Sequence, residues 1–175
     1  MAVTIHGLEP CFSCGAPAPG GDGPTHPYMT SSAGCWGLYG QVLANQYAPG
    51  HRDPGLHQTI VDAYACQHPG QPERRAIQSV NSHLVSLYLV YEKGLAATHA
   101  TAALKRIVED ASLVATFQWL EPPSFQGTLT VADVAAAASA SERQRLVRAW
   151  GEAVWNAWRV RHLRAVALHA TNLLP

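Results

Sequence analysis

Lysine is scarce in this chain: Lys93 and Lys105 are the only two among 12 basic residues, and 12 acidic residues balance the set. A net formal charge of zero argues against a protein that holds nucleic acid by bulk charge. Charged side chains make up only 14% of the sequence against 47% hydrophobic, which excludes a disordered chain and favours a core-rich globule. Long apolar runs are missing too. The Ala-rich tract 131–140 is short and carries Asp133, so no membrane-crossing helix is expected. The first ten residues lack a basic stretch followed by an apolar core, so no secretory leader is read there. The expectation is a cytoplasmic protein of one domain over residues 1–175, with no membrane partner.

What the chain has in excess is histidine, nine residues, together with Cys11, Cys14, Cys35 and Cys66. In a reducing compartment four cysteines read better as metal ligands than as disulfides.

Residues 15–27 are dense in glycine and proline, which excludes helix, and they lack the apolar residues of a strand. Helices are expected at about 34–47, ended by Pro49 and Gly50, and at 56–67, 73–92 and 98–110. A short Ala-rich one opens at Thr130, and a long one runs from Ser141 to at least His169. Residues 111–129 are ambiguous. The expected fold class is all-α: a bundle of about six helices over 34–175 behind a loop-rich, zinc-knuckle-like segment over 1–33.

Cys11-Phe-Ser-Cys14-Gly15 spaces two thiols to close over one metal, with glycine free to turn beneath it. His26 and Cys35 follow, and three sulfurs with one imidazole suit a closed, structural zinc site. A metal there would order a segment too rich in glycine and proline to order itself. Cys66 falls inside a helix and reads as a small core residue.

A second group of polar residues lies on the helices. His57, Val61, Tyr64 and His68 share one face, but His57 and His68 are about 16 Å apart along a helix and cannot share a metal unless it breaks. His83 sits among Val80, Leu87 and Val90 at helical spacing and should point inward. The last helix aligns Trp150, Val154, Trp158 and His162. His57, Asp62, His68, His83 and His162 are the candidates for metal-assisted or acid–base chemistry, with Tyr64, Gln67, Gln78, Ser79 and Trp158 placed to touch a substrate. Trp150, Trp155 and Trp158 also read as packing. His6, His51 and His99 read as loop or surface residues, and His169 as exposed. Six arginines in the last 36 residues, against Glu142 and Glu152, give that part +4 and the rest −4, which reads as a solvated face.

Taken in order, Cys11-x₂-Cys14-Gly15, His26-x-Tyr28-Met29, Gly34-Cys35-Trp36, Val61-Asp62-Ala63-Tyr64-Ala65, Gln67-His68-Pro69-Gly70, Gln78-Ser79-Val80 and His83-Leu84 resemble a family of small, uncharacterised bacterial proteins, a domain of unknown function. That pattern usually has proline where this chain has Ala33, and often valine where it has Cys66. The resemblance implies that the two groups of polar residues belong together, and it carries no activity.

Three functional readings follow. One is an enzyme acting on a small molecule, a metal-dependent hydrolase, lyase or transferase or a His/Asp acid–base catalyst, with a second metal held by imidazole and carboxylate as one variant. Another is a non-catalytic zinc adaptor that meets a protein through its knuckle and its Arg/Trp-rich last helix. The third places Cys11, Cys14, Cys35 and one histidine around a single zinc. A second copy of the chain is left open as a partner, and nucleic acid is disfavoured.

Overall fold

The computed structural model describes residues 7–48, 53–171 and 173. The chain opens with a two-stranded antiparallel ribbon, β1 (Leu8–Pro10) and β2 (Pro17–Pro19), paired Leu8 to Pro19 and Pro10 to Pro17. The expectation of no strand in residues 15–27 is thus corrected. Proline is tolerated because the ribbon is all edge, and its inner residues Ala16 and Ala18 are buried. The turn between the strands carries Cys11 and Cys14. It is closed by bonds of 2.8 Å from Cys11 N–H to the Ala16 carbonyl and from Gly15 N–H to the Cys11 carbonyl.

Helix α1 (Ala33–Asn45) starts where Ser32 caps the chain, its hydroxyl accepting from the Cys35 N–H at 3.2 Å. That cap puts Cys35 in the first turn, facing inward and fully buried. The expected stop at Pro49 and Gly50 lies outside the described residues, as do His6 and His51. Helix α2 (Pro54–Gln67) has Pro54 at its first position and Asp53 as cap, bonded to the N–H groups of Gly55 and Leu56. It is buried over most of its second half and ends at His68.

Helix α3 (Arg74–Tyr91), helix α4 (Ala97–Glu109) and a single turn α5 (Ala111–Ala115) follow. A loop leads to α6 (Val131–Ala135), opened by the Asp133 carboxylate accepting from the Thr130 N–H and hydroxyl. Helix α7 (Ala140–Ala170) is the longest, capped by Ser139. The all-α expectation holds: seven helices among the described residues, the seventh element being α5 in the ambiguous stretch.

Helices α2, α3 and α7 pack against one another, with α4 covering α2 and α3, and α1 resting on α6 and the ribbon. Trp150, Trp155 and Trp158 sit at the centre, each no more than 1% exposed. Burial of each indole removes roughly 150–250 Å² from water, a large apolar contribution. Their N–H groups are all satisfied: by Gln67 Oε1 at 2.9 Å, by Glu92 Oε2 at 3.0 Å and by the Cys66 carbonyl at 3.0 Å. No helix among the described residues is long and apolar enough to cross a membrane.

Candidate metal centre and acid–base cleft

The ribbon turn, the first turn of α1 and the end of α2 converge on one point. Their side chains Cys11, Cys14, Cys35 and His68 are all buried, and their ligand atoms lie within 4.8 Å of one another. Cys14 Sγ is 3.8 Å from Cys35 Sγ, and His68 Nε2 is 3.7 Å from Cys11 Sγ and 3.5 Å from Cys35 Sγ. A tetrahedral zinc, with bonds of about 2.3 Å to sulfur and about 2.0–2.1 Å to nitrogen, sets edges of about 3.8 Å and about 3.6 Å. The residues fit the ion.

The protonation pattern fits as well. His68 Nδ1 is 2.7 Å from the Tyr64 carbonyl, which can only accept, so Nδ1 carries the proton and Nε2 presents its lone pair to the thiols. Hydrogen bonds from Cys14 and Cys35 hold the Cys11 thiol far below its ordinary range, while the bond to Cys11 pushes Cys14 up to about 12 and drives Cys35 higher still. Three thiolates this close together and out of water would repel one another. A divalent cation is what lets all three ionise. The Ser32 N–H, 3.5 Å from Cys11 Sγ, and the Tyr64 hydroxyl, 3.8 Å from Cys35 Sγ, are placed to share the sulfur charge.

His26 stands outside this group. Its ring packs on Tyr28 and Trp36, and burial lowers its basicity. His68, expected among the catalytic residues, takes the fourth corner because α2 ends there and its side chain turns back under the ribbon. Cys66 is fully buried elsewhere, its thiol pushed well up by desolvation. Among the described residues Cys11, Cys14, Cys35 and His68 are the one group of three or more metal-binding side chains close enough to share an ion.

A separate polar centre joins α2 to α3. His83 Nδ1 is 2.7 Å from Asp62 Oδ1, the Ser86 hydroxyl donates to Asp62 Oδ2 at 2.6 Å, and Gln58 Nε2 donates to Oδ1 at 2.7 Å. Asp62 is only 2% exposed. His83 reaches the wall of a cleft of about 430 Å³, lined also by Tyr28, Arg75, Gln78, Ser79, Ser82, Leu104 and Val108. Sequence reading missed Gln58 and Ser86. Both were available from helical spacing, four before Asp62 and three after His83, but only the register of α2 on α3 makes them one group.

The remaining candidates lie apart from both centres. His57 is half-buried and packs edge-on to Tyr47. The His162 ring lies on Trp158, with Nε2 2.9 Å from the Glu121 carbonyl. Trp158 and Gln67 are fully buried and bonded within the core, so neither faces a ligand. Tyr64 is also buried, stacked between Tyr39 and His68, and serves the metal group instead. Gln78 and Ser79 do line the cleft. His169 is half-buried against Phe117 rather than exposed.

A buried set of three cysteines and one histidine, built on a helical scaffold, defines a candidate metal-binding protein. The profile of DUF5946, a family of unknown function, matches residues 9–159, and the chain belongs to that family. No curated protein and no solved structure matches it.

Proposed function

We propose that this protein is an enzyme that works on a small molecule by acid–base chemistry at His83, with a structural zinc holding the wall of its active cleft. The observation that carries the reading is the 2.7 Å contact between His83 Nδ1 and a buried Asp62 carboxylate, on a ring that lines an open cleft. Asp62 is saturated by Gln58 and Ser86 and so is fixed in place. It accepts the Nδ1 proton, which leaves Nε2 as the nitrogen that takes and returns a proton. A carboxylate–imidazole pair at a cleft is the arrangement that proton transfer near neutral pH requires.

The four-donor set Cys11, Cys14, Cys35 and His68 would fill a zinc coordination sphere, which supplies folding energy rather than a reactive position. Its place in the function is geometric. The chain between Cys14 and Cys35 carries Tyr28, and Tyr28 forms part of the His83 cleft. Anchoring both ends of that segment fixes the cleft wall.

The test compares a cellular small-molecule extract, by untargeted mass spectrometry, after incubation with wild-type protein and with His83→Gln of equal melting temperature and zinc content. Consumption of a compound by wild type and not by His83→Gln is the expected result. Equal consumption by both refutes the role of His83, and no consumption by either favours a non-catalytic zinc adaptor.

A further inference from the structure

The His83 cleft holds an unusual number of polar side chains with no protein partner. Arg75, Gln78 and Ser79 make no side-chain hydrogen bond or ion pair with any described residue, and neither does His83 Nε2. Ser82 is only 4% exposed, yet its hydroxyl is buried without a partner. A helical serine ordinarily returns that hydroxyl to the carbonyl one turn earlier, and a buried hydroxyl left unbonded costs stability. A water, an ion or a ligand in the cleft would supply the missing partner.

These residues form one surface. Positions 75, 78, 79, 82 and 83 fall on a single face of α3, at spacings of three and four. Across the cleft α4 contributes Leu104 and Val108, one turn apart, and Val108 is 55% exposed. One wall therefore donates hydrogen bonds and the other offers hydrocarbon. The volume of about 430 Å³ lies in the range of small-molecule sites.

The charge at the rim has a sign. Arg75 is the one arginine or lysine lining the cleft, and it shares the first turn of α3 with Arg74, at the end where the helix dipole is already positive. Glu73, at the cap position, makes no side-chain bond to that turn. The buried Asp62 carboxylate is occupied by His83, Ser86 and Gln58. An anion at Arg75 would meet an unpaired guanidinium whose fork matches a carboxylate.

The geometry points to a small carboxylic acid with an apolar body as the ligand of this cleft, its carboxylate on Arg75, its hydrocarbon on Leu104 and Val108, and its polar substituents on Gln78, Ser79 and Ser82. One guanidinium matches one negative charge, which favours a carboxylate over a phosphate dianion. This names the substrate class of the acid–base site and so rests on that reading, but binding at Arg75 and proton transfer at His83 fail separately.

The test uses butyrate as probe and butyramide as its neutral isostere, followed by NMR of labelled histidine and of leucine and valine methyl groups in the zinc-loaded protein. Butyrate should shift His83, Leu104 and Val108 saturably, with butyramide roughly tenfold weaker. Arg75→Gln should weaken butyrate by a similar factor and Arg75→Lys by less. Arg161→Gln, at an exposed position of α7, controls for net charge and should bind as wild type does. Equal binding of butyrate and butyramide, unchanged affinity in Arg75→Gln, equal loss in Arg161→Gln, or no saturable shift in the cleft overturns the proposal. If butyrate binds as expected while His83→Gln leaves turnover intact, the acid–base reading falls and the carboxylate site stands.

Discussion

Tyr64 holds His68 in two ways at once: its carbonyl lies 2.7 Å from His68 Nδ1, and its ring stacks on the imidazole at 4.0 Å between centroids. The first contact selects the tautomer and the second fixes the plane, so Nε2 points at three thiols before any ion arrives. Two residues at one helix end thereby do what a metal site needs from its surroundings.

Metal content tests the ligand set directly. Purified reduced protein should carry one zinc per chain by elemental analysis. Cys14→Ala, Cys35→Ala and His68→Ala should each lose it, while His26→Ala and His83→Ala keep it. Zinc released by His26→Ala but retained by His68→Ala would contradict the assignment.

Asp62→Asn should weaken the joint between α2 and α3. An amide cannot accept from three donors as the carboxylate does, so a loss of about 1–3 kcal/mol is expected in urea denaturation. Wild type should show an Nδ1 proton signal for His83 held by the Asp62 contact, and that signal should be lost or shifted in the variant. A protein as stable as wild type with that signal intact would show that the contact holds nothing.

Gly70→Ala should damage both centres. Gly70 has φ of +79°, and an added Cβ would fall 2.1 Å from the Tyr28 carbonyl oxygen. Gly94 shares the backbone conformation, φ +68°, but a Cβ there meets nothing within 4 Å. Gly94→Ala should therefore cost only the backbone strain, about 1–2 kcal/mol. Gly70→Ala should cost clearly more and shift the Tyr28 signals in NMR. Equal melting temperatures for the two variants would mean that the close approach of Tyr28 is not needed.

Acid should destabilise the protein partly through His169. Burial lowers its basicity below the ordinary value near 6.5, so the unfolded chain takes up a proton before the folded one does. Its contribution is fully present above pH 6.5 and is lost as pH falls below it. His169→Gln should flatten the fall in stability between about pH 7 and 5. The two proteins should be compared pH by pH, since loss of metal in acid is common to both.

Helices were legible along the chain because their signals are local. Ser32, Asp53 with Pro54, and the capping box at Thr130 all sit within a few residues of the ends they set. The ribbon was not legible: Pro17–Pro19 has no strand propensity, and it pairs with Leu8–Pro10 across a turn closed by backbone hydrogen bonds. Cys11, Cys14 and Cys35 were identifiable from thiol chemistry, and a single site with one histidine was among the readings. Choosing His68 over His26 was beyond spacing. His26 is nearer in sequence to both cysteine groups, and only the packing of α2 against the ribbon puts residue 68 beside residue 11.

The sequence by itself determined most of the helices, the inward face of His83 and a thiol-rich group able to hold a metal, since propensity, capping and ligand chemistry act over short stretches. Tertiary structure decided which histidine completes that group, which carboxylate serves His83, and that Arg75 shares a cleft with it. Those choices depend on the register between elements far apart in the chain. That register is set by packing around three buried tryptophans and is not written in any local pattern.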